Sequence, residues 1–381
     1  MKSSPRLFSS SLLLLGACGG AVEPQGESRS ELGAERPHDG EWALVGARPV
    51  IQREGYESEI LELTPGQLEA DPSPAGTLDR APDEGDHPVF VDDSGQLFLR
   101  TDRTIDLSVL REGTSFFPGE APSTDGEVGD QQDKDIFDGD DRTWWSNTTS
   151  YPARAHVAIR SSPNATTHFC SGAAIGPRHV LTAGHCLYRD GAFTKTRSEL
   201  RVVFGQNGSG NGEGNTPNGG KRSVVAWVLP NGWINEESRR YDYALLVLDD
   251  QSYSPGWLGF TAYDAFTLLG LNVNINGYPG HSYECAASPR ADGLCGGYLY
   301  HGYGPLLFVT GDELLTHVDW EKGNSGGPLY RYTNNDRYVV GVVSASNSLF
   351  NTAARMRSGM SDALCSWIGS YPSGHFSHNC Q

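Results

Sequence analysis

The sequence predicts an all-β protein: a pair of barrels with a short terminal helix, preceded by an acidic segment. Three observations point there. Of 381 residues, 47 are glycine and only 20% are charged. That is too little charge for a coiled coil and lacks a collagen-like period, so a turn-rich β chain is favoured. From about residue 150, short Val-, Ile- and Leu-rich runs alternate with Gly, Pro, Asn and Asp, the pattern of many short strands. The net charge of −18 is also unevenly shared: residues 19–135 hold 27 acidic and 9 basic residues, whereas residues 136–381 hold 20 and 18. A break of that size marks a boundary near residue 135.

The elements follow in chain order. Residues 1–18 read as an export signal, with Lys2 and Arg6 ahead of a short apolar run and small residues after it. Leu15–Gly16–Ala17–Cys18 resembles the lipobox of bacterial lipoproteins, which makes Cys18 a candidate lipidation site and membrane tether. The expected location is the bacterial cell envelope, or outside the cell after processing. No apolar run reaches the ~18 residues of a membrane span. The negative balance supplies no basic stripe for a nucleic acid.

Residues 19–135 form an acidic linker and pro-segment. Its start reads as a solvated tether. Further on, Val89–Phe90–Val91 and Leu97–Phe98–Leu99 flank Asp92–Asp93–Ser94–Gly95, which predicts a hairpin. Residues 136–381 form the main domain. Its strands are expected at Ala155–Ile159, Arg201–Phe204, Val224–Leu229, Ala244–Leu248, Val273–Ile275, Leu306–Val309 and Tyr338–Ser344, with a helix at Ser361–Ile368. They divide into barrels at about 150–255 and 256–360. Gly205–Gly220 reads as a long Gly- and Asn-rich loop. With Glu213 as its one charged ligand near Asn207–Asn218, it is no calcium site.

Of seven cysteines, six remain once Cys18 is set aside, an even number suited to an oxidising compartment. Proximity in sequence suggests Cys170–Cys186, Cys285–Cys295 and Cys365–Cys380 among the 15 possible connectivities. No CxxC or paired His accompanies them, so no metal is expected.

Three stretches carry chemistry: Cys170–Ser171–Gly172 through Thr182–Ala183–Gly184–His185–Cys186, then Tyr241–Asp242–Tyr243–Ala244, then Gly323–Asn324–Ser325–Gly326–Gly327–Pro328. A serine hydroxyl is a poor nucleophile near neutral pH. It needs an imidazole to take its proton and a carboxylate to orient that imidazole. It also needs donors for the oxyanion that forms. Gly323, without a side chain, can bring its N–H close, with the Ser325 N–H beside it. Asp242 is preferred to Asp249 and Asp250 because it opens an apolar strand, where it can be buried. His179, His281, His301 and His317 lack such a context and read as surface or structural residues.

These stretches resemble the chymotrypsin-fold serine peptidases, in the order His, Asp, Ser. The resemblance covers about residues 136–381. It implies two six-stranded antiparallel barrels, with His185 as general base, Asp242 orienting it and Ser325 as nucleophile. It also implies an oxyanion hole at Gly323 and Ser325, and a Cys170–Cys186 disulfide bracketing the His loop. A narrower resemblance is to the bacterial V8-like, glutamyl-endopeptidase-like branch. It rests on Asp140–Asp141–Arg142–Thr143, Asn147–Thr148–Thr149, Tyr151–Pro152, Gly277–Tyr278–Pro279–Gly280 and Asn324. Trypsin has an Asp before its serine, which pairs with the newly cut N-terminus. Asn324 cannot form that ion pair.

The resemblance implies protein or peptide substrates, no cofactor, a monomer, and a mature chain starting between Lys134 and Asp140. Three residues are expected to line the substrate pocket. Val343 stands where glutamyl-specific members carry a His, which argues against strict glutamyl preference. Ser344 follows it. Asp319, six residues before Ser325, matches the spacing of the pocket Asp of trypsin-like members, which would favour Arg or Lys.

Two rivals are weighed. Gly323–Asn324–Ser325–Gly326–Gly327 also satisfies the G-x-S-x-G elbow of α/β-hydrolases, but Pro328–Tyr332 leads into a hairpin and not the required helix. A binding protein on a dead peptidase fold would typically have lost a triad member, and all three are present.

Overall fold

The computed structural model describes residues 34–37, 40–50, 61–62, 84–100, 137, 140–165, 168–208, 220–252, 255–280, 297–333, 336–347 and 349–378. Six strands close the first barrel: β4 (His156–Arg160), β5 (Cys170–Gly176), β6 (His179–Thr182), β7 (Arg201–Phe204), β8 (Lys221–Pro230) and β9 (Ala244–Leu248). They pair antiparallel as β8–β7–β4–β5–β6–β9, and β9 returns to β8. Each strand of a barrel alternates inward and outward side chains. Here the outward face is also covered, so β9, Ala-Leu-Leu-Val-Leu, is buried throughout.

The second barrel closes the same way. Its strands are β10 (Asn272–Gly277), β11 (Tyr300–Val309), β12 (Glu313–Thr316), β13 (Pro328–Thr333), β14 (Asp336–Ser346) and β15 (Asn351–Arg355). They run β14–β13–β10–β11–β12–β15 and back to β14. Val273, Ile275, Leu314, Trp320, Leu329, Val340 and Val343 pack in its core. A short helix α1 (Asn231–Glu236) follows β8, and α2 (Ser358–Ser370) ends the fold. Helix α2 turns Met360, Leu364, Trp367 and Ile368 into the first barrel's core cluster. Spaced at three and four residues, they form one apolar stripe. Every expected strand has its counterpart, and the helix starts three residues earlier and ends two later than expected.

The expected hairpin also forms, as β2 (Pro88–Val91) and β3 (Gln96–Arg100), preceded by β1 (Trp42–Ala47). Asp92 turns it: its Oδ1 accepts the N–H of Ser94 at 2.9 Å and of Gln96 at 3.0 Å. What composition did not show is the hairpin's destination. β2 pairs antiparallel with β8, Val228 opposite Phe90, so β2, β3 and β1 extend the first barrel's sheet. Val89, Phe90, Val91, Leu97 and Leu99 join the same core as the barrel.

Cys170 is bonded to Cys186, and Cys365 is disulfide-bonded as well. Its expected partner Cys380 lies outside the described residues, as do Cys18, Cys285, Cys295 and most of the Gly-rich loop. Among the described residues no helix is long and apolar enough to cross a membrane.

Candidate active site

The site lies at the seam of the two barrels. His185 sits in a 3-10 turn, Gly184–Cys186, that leaves β6. The disulfide ties that turn to the start of β5. Asp242 caps a second 3-10 turn, Arg239–Tyr241, just before β9. Since β6 and β9 are paired neighbours, Ala244 opposite Thr182, the two turns emerge side by side.

Asp242 grips His185 twice. Its Oδ1 accepts the His185 backbone N–H and its Oδ2 faces Nδ1, each at 2.8 Å. With Nδ1 as donor, Nε2 is left as the basic nitrogen. Ser325 lies in the turn before β13, and its carbonyl accepts the Ser171 N–H at 2.8 Å. His185, Asp242 and Ser325 are all fully buried. Among the described residues, His185 Nε2 and Ser325 Oγ have no hydrogen-bond partner, including each other.

The peptide before Ser325 is held from two sides. Gly280 N–H donates to the Lys322 carbonyl at 2.7 Å. Ser171 Oγ donates to the Gly323 carbonyl at 2.7 Å and accepts the Tyr278 N–H at 2.8 Å. A trans peptide sets its N–H opposite its C=O, so fixing the Lys322 carbonyl on Gly280 turns the Gly323 N–H the other way. That N–H and the Ser325 N–H donate to nothing among the described residues. Gly323 is required here: its φ is +91°, and a Cβ would lie 2.6 Å from the Tyr278 carbonyl oxygen and the Gly280 nitrogen.

A family model described as Trypsin matches residues 145–356, more than half of the sequence. The chain belongs to the Trypsin family. It is similar to the glutamyl endopeptidase of Bacillus licheniformis, 31% identical over 248 residues, which are 62% of this chain and 70% of the relative. It is also similar to the extracellular metalloprotease of Bacillus subtilis, 25% identical over 241 residues, with the same shares of 62% and 70%. A solved structure of a Glu endopeptidase aligns with TM-score 0.49 and 22% identity, covering 60% of this chain and 97% of that one. The chain is a chymotrypsin-like serine endopeptidase by family.

Three further residues singled out in the sequence of this Trypsin-family chain have their own places. Ser344, expected to meet substrate, is buried with its hydroxyl donating to Asp242 Oδ2. Val343 packs in the second barrel's core. Asp319 is buried, and its two oxygens accept the N–H groups of Phe137 at 2.8 Å and Asp141 at 3.2 Å. Burial pushes its carboxyl up to about 6, against the pull of those two bonds. The Phe137 ring stacks on His317, centroids 4.5 Å apart. Phe137 within the expected cleavage region, and Asp141 just after it, thus rest on the stretch that leads to Ser325. Asn324 stays local, its Oδ1 accepting the Glu321 N–H at 3.2 Å.

Sequence reading passed over Ser171, Gly280 and the true partner of Ser344. For Ser344 a signal existed: one hydroxyl closing the apolar run Val339–Val340–Gly341–Val342–Val343, and a buried hydroxyl needs a partner. Of the other histidines, His179 faces the Tyr371 carbonyl at 2.8 Å, and burial lowers its pKa to about 3. It is a neutral structural group. Cys170, His185 and Cys186 converge closely enough for a metal, but the two sulfurs are joined to each other and are not thiolate donors. A cavity of about 570 Å³, lined by Trp144, Trp145, Tyr330 and Arg337 among others, contains none of the three site residues.

Proposed function

We propose that this chain is an exported endopeptidase that cuts peptide bonds through Ser325, His185 and Asp242. The observation that supports it most is how Asp242 holds both N–H groups of His185 while Nε2 and Ser325 Oγ stay unpartnered. Ser325 Oγ bonds to the scissile carbonyl carbon as its proton passes to His185 Nε2. The carbonyl oxygen becomes an oxyanion, facing the N–H groups of Gly323 and Ser325. The C–N bond then breaks, the amine leaves with the proton from His185, and an ester on Ser325 remains. Water, deprotonated by His185, hydrolyses that ester and restores the hydroxyl.

Labelling by a fluorophosphonate tests this. The processed chain should label, and Ser325→Ala should not. No Ser325-dependent labelling would favour a binding protein on the same fold. His185→Ala should abolish turnover, whereas an elbow-type esterase would retain it. The relative named a metalloprotease suggests a second reading, tested with EDTA: proteolysis that survives chelation agrees with the serine route, and loss restored by a divalent metal would overturn it.

For specificity, a glutamate side chain at the cut would meet apolar Val343 where glutamyl-specific members carry a His, with acidic Asp319 on the stretch ahead of Ser325. We therefore expect preference for residues other than Glu, although one relative is named a glutamyl endopeptidase. Asp319 recruits Arg or Lys only if it turns from the backbone of Phe137 and Asp141. A peptide library read by mass spectrometry decides: dominant cleavage after Glu overturns the Val343 argument, and cleavage after Arg that survives Asp319→Ser overturns a role for Asp319. Export as a lipoprotein predicts labelling by radioactive palmitate that Cys18→Ser removes.

A further inference from the structure

The acidic excess of residues 19–135 has partners in the main domain. Glu35 meets Arg178 at 2.7 Å, Asp93 meets Arg197 at 2.6 Å, and Asp86 meets Arg357 at 3.0 Å. In each pair the carboxylate comes from the N-terminal segment and the arginine from the peptidase domain, where all three arginines are buried. The Asp93–Arg197 pair is bidentate, the geometry that gives such contacts strength and direction. Backbone contacts add to these: Glu35 N–H to the Val225 carbonyl, and Asn231 N–H to that of His87, each at 2.8 Å. With β2 hydrogen-bonded to β8 and five of its hairpin's apolar side chains in the barrel's core, this is the anatomy of a domain interior, unlike the polar surface contacts of a detachable part.

Asp86 also reaches the catalytic carboxylate's neighbours. Tyr243, next to Asp242, donates its hydroxyl to Asp86 Oδ1 at 2.9 Å. Its ring stacks on Trp367 of α2, centroids 5.5 Å apart. On the other side of Asp242, the ring of Tyr241 lies against Gly85, where a Cβ would come within 2.1 Å of it. Burial, then the Asp86 charge, hold the Tyr243 phenol protonated, well above its ordinary pKa.

We propose that residues 34–100 are a permanent part of the enzyme. On the reading that the chain is cut between Lys134 and Asp140, the product is a noncovalent two-chain protein in which Asp86 is a positioning residue for Asp242, acting through Tyr243. The leader that is shed, if any, lies upstream of Glu35.

The test uses the full-length chain with a recognition site for an exogenous protease inserted between Arg100 and Phe137. After complete cleavage, seen as two bands on a denaturing gel, both fragments should leave a native gel-filtration column in one peak. Their separation overturns the proposal, whether or not activity survives. Co-elution needs no catalysis, so it stands apart from failure of the peptidase reading. The positioning role is tested with Tyr243→Phe, which keeps the ring. It should lower kcat about tenfold with KM unchanged, and slow fluorophosphonate labelling by the same factor. Unchanged kcat and labelling would overturn the role of Asp86.

Discussion

The hydroxyl of Ser171 joins the two barrels, accepting from Tyr278 N–H and donating to the carbonyl of Gly323. It is hydrogen-bonded to neither the Ser325 hydroxyl nor the His185 imidazole, yet it fixes the carbonyl of Gly323, the residue whose N–H would face the oxyanion in the proposed mechanism.

Ser171→Ala therefore should act on the transition state. Losing a direct oxyanion donor costs about 10²–10³ in kcat, and this indirect loss should cost about tenfold, with KM nearly unchanged. Affinity for a peptide boronate or aldehyde should fall in step with kcat/KM. A variant that binds substrate and boronate as the parent does would show that Gly323 holds its place alone.

Asp242→Asn should lower kcat by about 10⁴ while the fold persists. The amide can still accept one His185 N–H, but it no longer favours the Nδ1–H tautomer. Steady-state kinetics together with an unchanged melting curve is the check.

Asp86→Ala should destabilise the chain by about 3–5 kcal/mol, the cost of removing one partner from a buried ion pair. Arg357 would keep only its more distant carboxylate, Asp312 at 3.7 Å. Adding Arg357→Met should recover part of the loss, since the stranded charge then disappears. Urea unfolding of the two variants gives the comparison.

The raised pKa of Asp319 sets a pH dependence. Its carboxyl titrates near 6 in the fold and near 4 in an unfolded chain. The folded state therefore favours the protonated form. That contribution is full below about pH 4 and is lost as pH rises to about 6. Melting temperatures taken across this window should fall more steeply for the parent than for Asp319→Asn.

Opening the Cys170–Cys186 link, by reduction or by a double Ser variant, should cost about 3 kcal/mol on the loop-entropy account. The loop spans 16 positions. Because the linked turn carries His185, activity and melting temperature should fall together.

Much of the site can be read because its signals are short. The residues around His185 and Ser325 are defined by immediate neighbours, and Asp242 by the strand it opens. The hairpin at Pro88–Arg100 is equally legible, from alternating apolar residues around Asp92–Gly95. Its docking on β8 is not, because strand addition leaves no local mark. Only the charge imbalance hints that the segment has arginines to meet. Ser344 stands on the expected strand, but its hydroxyl donates to Asp242, a partner 102 residues away in sequence that spacing does not reveal. Spacing puts Asp319 near the serine, but spacing does not reveal which N–H groups its oxygens hold.

Ser171 and His185 belong to the first barrel, Gly323 and Ser325 to the second; the second barrel has its own apolar cluster, and the first barrel's also takes in Val339 and Val342 of β14. The proposed nucleophile and base thus come from opposite sides of the boundary between the two barrels. Warming should let the halves shear by a fraction of an ångström well before either melts. Catalysis would then fade reversibly at temperatures where circular dichroism still reports intact strands.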